Sequence, residues 1–66
     1  MSYEYIEEEI VGLPIKEAAS IVKNYGFKFR VAVSNGINLV SAGEKDPNRI
    51  NVKVNNNEIT EVVSIG

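Results

Sequence analysis

Apolar positions recur at two spacings along this chain, and the change of spacing divides it. Over residues 12–26, GLPIKEAASIVKNYG, the spacing is helical. Ile15, Ala18, Ala19 and Val22 fall on one face, with Ile21 and Tyr25 flanking it. Pro14 suits the first turn, where a missing amide costs nothing, and Gly26 is placed to end the helix in a left-handed conformation. Lys23 stands near the negative end of the helix dipole, and no Ser, Thr, Asp or Asn caps the start.

From Phe27 the spacing falls to two. Phe27, Phe29, Val31 and Val33 face one way and Lys28, Arg30 and Ala32 the other, which predicts a strand over 27–33 with one buried face. The pattern returns over 49–54, with Ile50, Val52 and Val54 inward and Arg49, Asn51 and Lys53 outward. Asn55-Asn56-Asn57 reads as a turn, because Asn tolerates left-handed backbone. A last strand over 58–65 completes an antiparallel hairpin; its phase slips between Ile59 and Val62, the mark of a bulge or bend.

Residues 1–10 read as an N-terminal arm, attached through Tyr3, Tyr5 and Ile6 or Ile10, and residues 11–66 as one domain. The predicted fold is α+β: a single helix packed on a small mixed β-sheet, with a long exposed loop between parallel strands.

That loop, residues 34–48, has two readings. Asn35-Gly36 is a strong hairpin signal and would make Ile37–Val40 a further strand. A two-residue turn would set the inward Val33 opposite the outward Asn38. A three-residue turn over Ser34-Asn35-Gly36 instead pairs Val33 with Ile37. In the other reading the segment is a crossover that returns the chain for parallel pairing of 27–33 with 49–54. Such pairing needs about a dozen connecting residues, and long irregular loops are often binding loops.

Composition narrows the chemistry. With 66 residues and 44% of them hydrophobic, the chain can build one small core. It has no Cys and no His, which removes thiol chemistry, disulfides and histidine-based triads or metal sites. Glu44 and Asp46 on a solvated loop read as surface charge, and the Asn-rich stretches lack calcium-loop spacing. The reading is therefore of a non-enzyme with neither cofactor nor metal. The net charge is -2 and the densest cluster, Glu7-Glu8-Glu9, is acidic, so no basic stripe for nucleic acid is visible. The opening MSYEYIEEE has neither a basic n-region nor an apolar run, so no signal peptide or membrane span is expected. Location stays open between the cytoplasm and a secreted mature form.

Arg49 stands where loop meets strand. It reads either as a solvated strand charge or as a brace whose guanidinium reaches loop carbonyls or Glu44. Arg30 and Lys53 would assist on a shared sheet face.

VGLPIKEAASIV resembles the entry and helix of the potato inhibitor I type of serine-protease inhibitor, through Val11, Gly12, Glu17 and Ala18. NRINVKVNNNEITEVVSIG resembles the C-terminal half of the I78-type inhibitors, through Arg49, Ile50, Asn51, Val52 and Gly66. The resemblance implies a helix against a small mixed sheet and an extended loop, here 37–48, that enters a protease like a substrate and is released slowly. It implies reactive-loop candidates Val40, Ser41, Ala42, Gly43, Glu44, Lys45 and Asp46, with Arg49 and Asn51 at the loop-supporting positions. Counting back from Arg49 puts the scissile bond between Gly43 and Glu44; counting forward from Gly36 puts it near Val40-Ser41-Ala42. The family's usual Thr and pocket-filling residue are Ala42 and Gly43 here. The first half also resembles the PASTA modules in its Val-Gly step and helix, without their Pro- and Gly-rich second half.

The implied partner is a serine protease or another protein. The alternative is a non-inhibitory protein–protein interaction module on the same scaffold, with self-association through a sheet edge at NVKVNNN.

Overall fold

The structure, a computed structural model, describes residues 3–39 and 45–66. In chain order the elements are α1 (Glu4–Ile10), α2 (Ile15–Asn24), β1 (Lys28–Ser34), β2 (Ile37–Asn38), β3 (Arg49–Asn55) and β4 (Glu58–Ile65). The four strands form one sheet in the order β2-β1-β3-β4. β1 and β3 run parallel, whereas β2 is antiparallel to β1 and β4 antiparallel to β3.

This corrects the expected fold. There are two described helices and a four-stranded sheet, not one helix on a small sheet, and part of the expected loop is strand β2. The single-helix architecture implied by the resemblance to the potato inhibitor I type is therefore not the one found. The added helix arises within residues 1–10. Ile6 and Ile10 lie four residues apart on one helical face, and both are fully buried. They join Ala18 and Val22 of α2, Ile50, Val52 and Val54 of β3, and Ile59 and Val62 of β4 in one core. Burying an Ile is worth about 1.5–3 kcal/mol, enough to hold a seven-residue helix that would not persist alone. The helices also meet at their exposed side. The Tyr5 and Tyr25 rings pack edge-to-face at 5.2 Å. The Tyr25 hydroxyl donates to Glu9, whose carboxylate holds that hydroxyl above the usual tyrosine range.

α1 and its exit also cover part of the outer edge of β4, at Ile59 and Val62. Gly12 N donates to Ile59 O, Ile59 N to Leu13 O, and Ile15 N to Asn57 O. Val62 N donates to the Glu7 carboxylate at 2.8 Å. These backbone groups, which an edge strand would offer to another chain, are thus occupied.

The two readings of 34–48 are reconciled by a bulge. β1 follows β3 in register to Val31↔Val52, then skips Ala32, so that Val33 lies beside Lys53. Ala32 is buried, and Val33 has moved to the face of Lys53. Val33 therefore sits opposite Asn38 without a conflict of faces, across a two-residue Asn35-Gly36 turn. Both turn residues have positive φ, 49° and 81°, the geometry that matches strand twist. Asn56 and Asn57 do the same between β3 and β4, at 50° and 68°. Asn35 ties the two turns together: its Oδ1 accepts from Asn56 N, and its own N donates to Val54 O. The phase slip in β4 appears as two register shifts along its pairing with β3.

Candidate functional site

The segment joining β2 to β3 is fastened to β1 at both of its described ends. On entry, Leu39 N donates to Ala32 O at 2.8 Å. On exit, Lys28 N donates to Asn48 O at 2.6 Å, and Arg49 N to Asp46 O at 3.1 Å. The two attachment points on β1 are four residues apart, about 13 Å at ~3.3 Å per residue. Ile37 and Leu39 at the entry are 64% and 58% exposed, the most exposed of the large apolar residues among those described.

Of the reactive-loop candidates, Val40, Ser41, Ala42, Gly43 and Glu44 lie outside the described residues. Lys45 is exposed and Asp46 half-buried. The Asp46 carboxylate meets Lys28 Nζ at 2.8 Å and accepts from Asn48 N at 2.9 Å. The Lys28 ammonium, and after it the Asn48 amide, hold the Asp46 carboxyl below its ordinary range.

Beside this exit, the sheet face away from the helices carries a polar array. Arg30, Asn51 and Ser64 form one row across β1, β3 and β4. Arg30 Nε donates to Asn51 Oδ1 at 2.7 Å, while Asn51 Nδ2 reaches Ser64 Oγ at 3.2 Å and Gly66 O at 2.9 Å. Arg49 donates to the same Gly66 carbonyl through Nε at 3.2 Å and Nη2 at 3.0 Å. Gly66 N returns a bond to Arg49 O at 2.9 Å. The Gly66 carbonyl thus accepts from two side chains, and the last residue of the chain is locked against the start of β3. Asn51, the one buried polar residue among those described, uses both ends of its amide. Farther along β3, Lys53 pairs with Glu61 at 3.2 Å.

Arg49 and Asn51, the two expected supports, are therefore brought together with Arg30, Ser64 and Gly66. Sequence reasoning placed Arg30 on the same face but missed Ser64, and it missed the Lys28–Asp46 pair entirely. Their signal was weak: an outward charge at the start of one strand and an acid two residues before Asn48 suggest a contact only once β1 and β3 are known to start side by side.

Among the described residues no group of three or more His, Cys, Asp or Glu could hold a metal ion, and no helix is long and apolar enough to cross a membrane. Comparison with known proteins finds no match to any family model, any curated protein or any solved structure.

Proposed function

We propose that the protein is a binding protein whose recognition element is segment 37–48, and that its partner is a serine protease, which it engages as a poorly released substrate. The observation that supports this reading most is the double attachment of the segment to β1, at Ala32 and at Lys28. A chain fixed at both ends loses less entropy on binding, and a segment fixed at both ends holds its fragments together if one bond is cut. The Arg49–Asn51–Gly66 array adds rigidity where the segment enters β3.

Titration against subtilisin-like and chymotrypsin-like proteases, followed by hydrolysis of a small chromogenic peptide, tests this. Competitive inhibition with slow cleavage inside 37–48 is expected. Gly43→Leu should strengthen inhibition of a chymotrypsin-like enzyme if Gly43 occupies the specificity position, because a glycine has no side chain to fill a pocket. No inhibition of any enzyme at micromolar protein would overturn the protease reading. The exposure of Ile37 and Leu39 would then favour the second reading, an interaction module for a non-protease protein with an apolar contact surface.

A further inference from the structure

We infer that Asn35 is a modification site: in the folded protein the Asn35-Gly36 turn loses ammonia and passes through a cyclic imide to an aspartyl or isoaspartyl residue, assisted by the neighbouring β3–β4 turn. Both turns lie among the described residues, and the chemistry is independent of the protease reading.

A nucleophile, an electrophile and a donor for the developing charge meet at this turn. The nucleophile is the Gly36 amide. It is exposed, and no hydrogen bond engages it among the described residues. A Cβ placed on Gly36 would meet nothing within 4 Å, so nothing packs over the approach. The electrophile is the side-chain carbonyl carbon of Asn35, which is held from two sides. Asn35 N donates to Val54 O at 3.0 Å, and Asn35 Oδ1 accepts from Asn56 N at 2.8 Å. The second bond draws electron density from Cγ. It also sets a backbone donor where negative charge develops when that carbon is attacked, at the distance such donors keep from an oxyanion. A carbonyl already held in place needs less ordering to react.

Hydroxide from the solvent takes the Gly36 amide proton, and the nitrogen forms a bond to Asn35 Cγ. The Cγ–Nδ2 bond then breaks, and Nδ2 leaves as ammonia with a proton from water. Water next opens the imide. Cleavage of the new bond to Cγ gives an aspartyl residue at position 35. Cleavage of the bond to the main-chain carbonyl gives an isoaspartyl linkage, in which the chain runs through the side chain. The net change consumes water and releases ammonia.

The protein carries its own control. Asn56 and Asn57 form a turn of the same hand, with φ of 50° and 68° beside 49° and 81° for Asn35 and Gly36. Asn56 is followed by Asn57 and Asn57 by Glu58, so a side chain stands beside the attacking nitrogen in both cases. The two products should also differ in structure. An aspartyl carboxylate still accepts from Asn56 N, now as a charged acceptor. An isoaspartyl linkage lengthens the main chain, so the pairing of Ser34 with Ile37 should be lost.

The test follows the side-chain amide resonances of each Asn in the isotopically labelled, folded protein held in mildly alkaline buffer, with the same chain in urea for comparison. The Asn35 amide should disappear first, at a rate proportional to hydroxide. That rate should lie within about ten-fold of the unfolded chain's, whereas reaction through global unfolding alone would be at least about a hundred-fold slower, given the unfolded fraction of a marginal domain. Ile37 and Leu39 should shift in the isoaspartyl product and stay in place in the aspartyl one. Gly36→Asn keeps the turn geometry that Asn56 and Asn57 adopt, and should slow the loss by about ten-fold or more, because a side chain crowds the near-attack arrangement. An Asn35 amide that outlasts those of Asn56 or Asn57 would overturn the proposal. So would a loss that rises with the unfolded fraction as urea is added, or the parent rate in Gly36→Asn.

Discussion

Replacing Ile10 by Ala tests whether α1 belongs to the core. The substitution removes three carbons from a side chain with no solvent exposure, a transfer loss of about 2.4 kcal/mol at roughly 0.8 kcal/mol per carbon. The pocket is bordered by two helices and the sheet and closes only partly, so the total should be about 3 kcal/mol, inside the ~2–5 kcal/mol range for such changes. A domain of this length has about 3–10 kcal/mol in all, so the loss is a large share. With a urea slope of about 1 kcal/mol per molar, the midpoint followed by far-UV circular dichroism should fall by about 3 M, or the cooperative transition should vanish. Glu8→Ala, on the exposed side of the same helix, should change stability by less than about 0.5 kcal/mol. A midpoint shift for Ile10→Ala below about 0.5 M would refute the reasoning, because α1 would then be a frayed arm.

Glu7→Ala should expose the loss of the acceptor for Val62 N: a buried amide left without a partner costs about 1–3 kcal/mol, and hydrogen exchange at Val62 should accelerate, whereas Glu7→Gln, which keeps a carbonyl oxygen, should lose less. Asn51→Ala breaks the contacts with Arg30, Ser64 and Gly66 at once, so about 2–3 kcal/mol should be lost, with faster exchange of the Gly66 amide bound to Arg49 O. The Asp46 carboxyl is held below its ordinary value by Lys28 and the Asn48 amide. Its contribution is thus fully present above the unfolded carboxylate range, about pH 4, and is lost as pH falls through the lower folded value. The Asn48 amide resonance should report that transition below about pH 4, and in Lys28→Met the midpoint should move upward.

Much of the architecture was legible along the chain. Helix α2 and strands β1 and β3 follow from clean periods, β4 from one that slips between Ile59 and Val62, and Gly26 takes its positive φ of 87° where the helical spacing stops. Helix α1 was harder to see. Its only apolar core residues are Ile6 and Ile10, set among Glu4, Glu7, Glu8 and Glu9 with no capping side chain. The i,i+4 pair was the available signal, but two residues define a face only when a partner surface exists to receive it. The hairpin to β2 was obscured by register. A two-residue turn looked wrong for Val33 until the bulge at Ala32 moved that residue to the other face, and nothing local in KFRVAV announces the bulge. In the candidate site, Arg49 and Asn51 stand where the loop-supporting positions were expected, but the described bonds of their side chains run to Gly66, Ser64 and Arg30. The Lys28–Asp46 pair and the Gly66 carbonyl acceptor arise from which strand ends meet, and that is a tertiary property.

The most direct test of the central claim is to titrate the isotopically labelled protein with an active-site-competent serine protease and follow its backbone amide resonances. If the segment is the recognition element, the resonances of Ile37, Leu39, Lys45 and Asp46 should shift or broaden first, with those of Lys28 and Arg49 following as the supports respond, while α1 and α2 stay unchanged. Perturbation centred on the helices, or none at saturating protease, would contradict the account.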